Sequence, residues 1–97
     1  MKLRYTLRGA AELDKILVDL TQISPQGARH VQMRIREIIN LLLRHPYAGQ
    51  LTSKGRLRRI VAYPYPYLIF YRATDDEVVI HAVRHSARNP SSMPGSG

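Results

Sequence analysis

Residues 57–88, LRRIVAYPYPYLIFYRATDDEVVIHAVRHSAR, limit what this chain can fold into more than any other stretch. They divide into three short segments, 57–62, 67–73 and 77–84, two of them dense in the β-branched and aromatic residues that suit a pleated, half-buried surface. Pro64-Tyr65-Pro66 and Asp75-Asp76 separate them, and both are turn chemistry: proline pre-sets φ, and aspartate bonds its own backbone. Consecutive strands with connections this short predict an antiparallel meander. One face of a meander has to be covered, so the preceding residues must supply the cover.

Residues 2–6 alternate polar and apolar with Leu3 and Tyr5 on one side, which predicts a half-buried first strand. Thr6 can then cap a helix through its hydroxyl, and Ala10, Leu13, Ile16, Leu17 and Leu20 recur on one helical face. Gly9 weakens that helix slightly. Ser24-Pro25 is a stronger start, because the serine satisfies one orphan donor and proline at the first position removes another. Ala28, Val31, Ile35, Ile38, Ile39 and Leu42 mark the apolar face of this second helix, and Pro46 stops it. The two helices are expected to form an antiparallel hairpin joined at 21–24. Residues 46–56, with two glycines and a proline, read as a connecting loop, and 89–97, rich in Pro, Ser and Gly, as a disordered tail. The expected architecture is one α+β domain over 1–88. It has an N-terminal strand, a helix hairpin and a three-stranded antiparallel meander, with the helices packed on one sheet face.

With 97 residues the chain can bury roughly two-thirds of its unfolded surface in one core. Cysteine is absent, which excludes disulfide scaffolds, thiol nucleophiles and thiolate metal sites, and suits a reducing compartment. Fifteen Lys and Arg against seven Asp and Glu give a formal charge of +8, so nucleic acid or an acidic protein is the expected partner. Arg4 and Arg8 precede any apolar run, and the apolar stretch around 38–43 is far too short for a bilayer. A cytoplasmic protein without a membrane partner is expected.

Lys54, Arg56, Arg58 and Arg59 place four positive charges in six residues. They would meet DNA, RNA or an acidic protein surface, or else serve as edge charges that block sheet-to-sheet pairing. Alternation puts Arg59 with Leu57 and Val61 on one side and Arg58 with Ile60 on the other. Arg84, His85 and Arg88 lie at the exit of the last strand, where a meander can gather them beside the second. His85 alone among these titrates near neutrality, and its plainer reading is a histidine hydrogen-bonded at a strand end. Tyr63, Tyr65, Tyr67 and Tyr71 could stack on bases, although strand tyrosines more often pack their rings in the core. His81 and His85, four apart on a strand, would share a face yet stand roughly 13 Å apart at about 3.3 Å per residue, too far for one ion. Neither metal nor cofactor is expected.

Thr6, Ala11-Glu12-Leu13 and Ile16, His45-Pro46 and Gly49, Leu57-Arg58-Arg59, Pro66-Tyr67-Leu68-Ile69-Phe70-Tyr71-Arg72, and then Val83, His85 and Arg88 occur in an order that resembles the RelE/ParE superfamily of type II toxins. The resemblance spans 2–89. It implies a cognate antitoxin that wraps the toxin in a hetero-oligomer, and one of two activities on a shared fold. These are cleavage of messenger RNA on the ribosome and poisoning of DNA gyrase, the ParE activity.

Cleavage through the 2′-hydroxyl needs a proton acceptor, a proton donor and fixed positive charge at the phosphate. In a nuclease Arg59, Arg84, His85 and Arg88 would supply them. The RNA-cleaving relatives carry an arginine directly after the tyrosine that opens the third strand, and Leu68 stands there. Their C-terminal tyrosine has no counterpart in Asn89-Pro90-Ser91-Ser92. The expectation is therefore a gyrase inhibitor of the ParE, plasmid-stabilising kind that does no chemistry of its own. Its target-binding candidates are Lys54, Arg56, Arg58, Arg59, Arg72, Arg84, His85 and Arg88. A ribosome-dependent mRNA endonuclease and a plain nucleic-acid-binding module are the alternatives.

Overall fold

A computed structural model describes residues 1–86, so Arg88 and the tail expected over 89–97 lie outside the described residues. The chain runs through β1 (Lys2–Tyr5), α1 (Leu7–Ile23), α2 (Pro25–Arg44), β2 (Gln50–Leu51), β3 (Arg58–Val61), β4 (Tyr67–Ala73) and β5 (Glu77–His85). Both helices begin at the expected caps. Thr6 Oγ1 accepts from the Gly9 N–H at 3.0 Å to open α1. Ser24 serves both helices: its N–H donates to the Leu20 carbonyl, and its Oγ accepts from the Gly27 N–H at 3.0 Å to open α2. Ser24 alone therefore makes the hairpin connection, because α1 continues to Ile23 through the link expected over 21–24.

The strands form one sheet in the order β1-β5-β4-β3-β2. The meander is antiparallel, with Val61 opposite Leu68 and Ile69 opposite Val83, and β1 closes the far side parallel to β5. The loop expected over 46–56 is interrupted by an edge strand, since Gln50 and Leu51 pair with Arg59 and Arg58. Two residues are too few for alternation to reveal a strand.

The helices pack on one face. Val31, Ile35, Ile38, Ile39 and Leu42 of α2 meet Tyr67, Ile69, Tyr71, Val78, Ile80 and Val83 there, while α1 contributes only partly buried Leu13, Ile16, Leu17 and Leu20. Among the described residues no helix covers the other face, where Leu57, Phe70 and Ala82 form a small second cluster with Leu68.

Two local features shape that open face. Phe70 opposes Ala82 and Tyr71 opposes Ile80, so His81 is an extra residue in β5, a β-bulge. Where β1 ends at Tyr5, α1 takes over the edge of β5. The Thr6 N–H donates to the Ile80 carbonyl at 2.9 Å, and the Val83 N–H donates to Glu12 Oε1 at 3.1 Å. The closeness of this crossing explains Gly9, since a Cβ there would stand 2.5 Å from the Ile80 carbonyl oxygen.

Candidate functional site

Register assigns each sequence-derived candidate to a side. Arg59 opposes Phe70, Val61 opposes Leu68, and Arg84 also opposes Leu68, so Arg59, Arg72 and Arg84 share the open face around the Leu57, Phe70 and Ala82 floor. Arg59 and Arg72 are exposed, whereas Arg84 keeps only 19 % of its side-chain surface. Between Arg59 and Arg84 the face is apolar at the Val61–Leu68 pair. A depression of about 510 Å³ opens beside it, bounded by Arg59, Val61, Leu68, Ser86 and the backbone of Ala48 to Gln50.

Arg58 points the other way and is structural. Its Nη1 donates to the Gly49 carbonyl at 2.8 Å and to the Tyr47 carbonyl at 3.2 Å, and its guanidinium lies over the Tyr47 ring, 5.1 Å from the centroid. The loop after α2 is thereby fastened to the sheet. Tyr71 fastens it again, donating its O–H to the Pro46 carbonyl at 2.9 Å and accepting from the Gly49 N–H at 2.8 Å. Lys54 and Arg56 sit in the turn between β2 and β3, at the end of the sheet where the β4–β5 turn also lies.

Arg84 and His85, consecutive in β5, point to opposite faces and meet different neighbours. Arg84 Nε lies 3.5 Å from Glu12 Oε2, and the same carboxylate oxygen draws Arg8 Nε to 3.6 Å. His85 opposes Tyr67 on the helix-covered side, its ring edge-to-face with the tyrosine ring at 5.4 Å between centroids. The structure thus brings Arg59, Arg72 and Arg84 to one face and leaves His85 on the other. Sequence reasoning missed Glu12, although it lies in the Ala11-Glu12-Leu13 motif, because the partner it caps is 71 residues away.

It also considered His81 only as a metal ligand. At the bulge His81 lies within electrostatic reach of Arg72, and burial first, then that positive charge, lowers its pKa below 6.5. Both effects favour the neutral ring of His81. Among the described residues no three His, Asp or Glu side chains converge on a possible ion.

The charge distribution is strongly segregated. No Asp or Glu occurs between Glu37 and Asp75, while that span holds Arg44, Lys54, Arg56, Arg58, Arg59 and Arg72. Two of the acids that flank this span at its far end are engaged: Glu77 holds Arg4 with two bonds of 3.0 and 3.1 Å, and Asp75 accepts from the Tyr47 O–H at 2.9 Å. The open face can therefore hold phosphates but assembles few groups for moving protons.

The family model for the ParE toxin of the type II toxin-antitoxin system parDE matches residues 3–90. The chain belongs to the ParE toxin family. Among its relatives, this ParE-family chain is 34 % identical over 84 residues to toxin RelE2 of Caulobacter vibrioides, covering 87 % of this chain and 93 % of that one. The putative toxin Y4kP of Sinorhizobium fredii is 32 % identical over 85 residues, with 88 % of each covered. In fold it is similar to a chain of the chromosomal ParDE system from P. aeruginosa, with TM-score 0.73, 24 % identity, and 88 % of this chain and 95 % of that one covered. A chain of the E. coli DinJ-YafQ toxin-antitoxin complex shares the fold at TM-score 0.59 and 16 % identity, with 89 % and 92 % covered. This ParE-family chain is a toxin of a type II toxin-antitoxin system, with two helices on a mixed five-stranded sheet.

Proposed function

We propose that this toxin inhibits DNA gyrase and breaks no phosphodiester bond itself. The observation that carries this reading is the Val61–Leu68 pair, an apolar couple on the open face where a nuclease needs its phosphate clamp. Glu12 draws off charge from Arg84, and His85 lies across the sheet from Arg59, so the expected nuclease set of Arg59, Arg84 and His85 is divided. The toxin then works by binding. In this reading Lys54, Arg56, Arg59 and Arg72 contact the target, with Arg84 at the margin, and the protein acts in the cytoplasm. A cognate antitoxin neutralises it. The exposed apolar residues Leu3 and Tyr5, with Leu13 and Ile35, line a groove of about 200 Å³ beside Arg36, and an acidic antitoxin segment with apolar anchors fits that chemistry.

The test combines two assays on purified toxin. Gyrase with supercoiled plasmid should accumulate cleaved DNA, while primer extension on translated message should show no new ends. New ends on message with gyrase unaffected would refute the proposal. His81, within electrostatic reach of Arg72, favours the second reading, RNA cleavage on the ribosome, because burial and that positive charge favour the ring form that can take up a proton. The two readings diverge at His81→Gln: a gyrase inhibitor keeps its toxicity, and a nuclease loses it.

A further inference from the structure

We infer that the open sheet face binds the phosphate backbone of duplex DNA directly, without sequence preference and without gyrase. This goes beyond the gyrase reading and stands or falls separately from it. Arg59 and Arg72 are exposed, and neither has a carboxylate partner among the described residues. Arg59 faces Phe70 on the neighbouring strand, and Arg72 is two residues along from Phe70. With about 4.8 Å between strands and about 3.3 Å per residue, their Cα atoms stand about 8 Å apart. Side chains of that length and spacing can reach neighbouring phosphates, which follow one another every ~3.4 Å of axis on each strand. Lys54 and Arg56 add positive charge in the β2–β3 turn at one end of the sheet. The acids at that end are engaged: Asp75 is held by Tyr47, Asp76 accepts from the Thr74 hydroxyl at 2.8 Å, and Glu77, two residues from the Val79 that pairs with Arg72, is held by Arg4.

The chemistry of the face chooses among polyanions. Single strands are held by aromatic rings that stack on bases, and the aromatic residue at the centre of this face, Phe70, is only 2 % exposed. Around the apolar floor the face offers chiefly cations, with Gln50 of β2, opposite Arg59, as the amide among its strand residues. Contacts of this kind fix a protein on the backbone without reading sequence.

Fluorescence anisotropy with the full-length toxin and labelled duplexes of two unrelated sequences tests the inference. Both duplexes should bind alike, with log affinity falling against log salt at a slope of about −2 to −4 for roughly two to four contacts. Arg59→Gln with Arg72→Gln should weaken binding tenfold or more at about 50 mM salt and shallow the slope by about 2. Arg29→Gln with Arg44→Gln removes the same two charges from exposed positions on α2 and should change little. Equal losses in the two double variants would reduce the effect to net charge and overturn the inference. So would the absence of duplex binding at about 50 mM salt, or tighter binding to single-stranded RNA of equal length. Duplex binding by a toxin that leaves gyrase untouched would keep this inference and refute the gyrase reading.

Discussion

Tyr71→Phe isolates a single hydroxyl on which the loop after α2 depends. Tyr71 is wholly buried, and its oxygen serves two groups at once, the Pro46 carbonyl and the Gly49 N–H. Phenylalanine fills almost the same space, so the substitution removes the hydrogen bonds with little change in packing. Gly49 is buried and its N–H loses the Tyr71 oxygen, while Pro46 is half-buried and can regain water. An unsatisfied buried donor costs roughly 1–3 kcal/mol, and a modest addition for the carbonyl brings the total to about 2 kcal/mol. For a domain of this size, where each kcal/mol moves Tm by roughly 4–8 °C, the melting temperature should drop by about 8–16 °C. The assay is thermal unfolding by circular dichroism together with amide exchange, which should quicken at Gly49 before it does in the sheet core. A fall of less than about 3 °C, smaller than one kcal/mol produces, with unchanged exchange at Gly49, would refute the reasoning.

Gly9→Ala should destabilise the fold even though alanine favours helices by about 1 kcal/mol, because the added Cβ meets the Ile80 carbonyl oxygen at 2.5 Å where α1 crosses β5; a raised Tm would contradict this. Glu12→Gln should retain the cap on the Val83 N–H while removing the negative charge facing Arg8 and Arg84, so the stability loss stays below that of Glu12→Ala, as denaturant unfolding can measure. His81 has a folded pKa lowered from 6.5, so the unfolded chain takes up the proton first. Its contribution is complete above pH 6.5 and declines as pH falls through that value toward the folded pKa, and His81→Gln should flatten the acid side of the Tm profile. Arg58→Lys should loosen the loop, because an ammonium cannot keep the forked donation to the Tyr47 and Gly49 carbonyls together with the stacked contact on the Tyr47 ring, and exchange at Gln50 and Leu51 would report it.

The family's place for a toxin-antitoxin partner follows from the same surface logic. One sheet face is spent on the helices, the other holds cations, and the apolar residues left over gather beside β1. On the proposed reading target and antitoxin take separate surfaces, and a variant of Arg59 and Arg72 should lose target binding while still forming the antitoxin complex.

The helix caps at Thr6 and Ser24, the apolar stripe of α2 and the three meander strands were all readable from the chain, because each is specified by residues within a turn or a strand of one another. The side to which Arg59 and Arg58 point followed as well, since alternation holds through β3. Tertiary structure alone decided the rest. The pairing of Gln50 and Leu51 depends on a strand already in place, and the bulge at His81 appears only when β5 is laid against β4. The contacts of Arg84 with Glu12 and of His85 with Tyr67 join residues that are distant in the chain and adjacent only after the sheet and the first helix have met. Local propensity acts over a few residues, whereas the face an arginine shows to a partner is set by register and by contacts that close long loops.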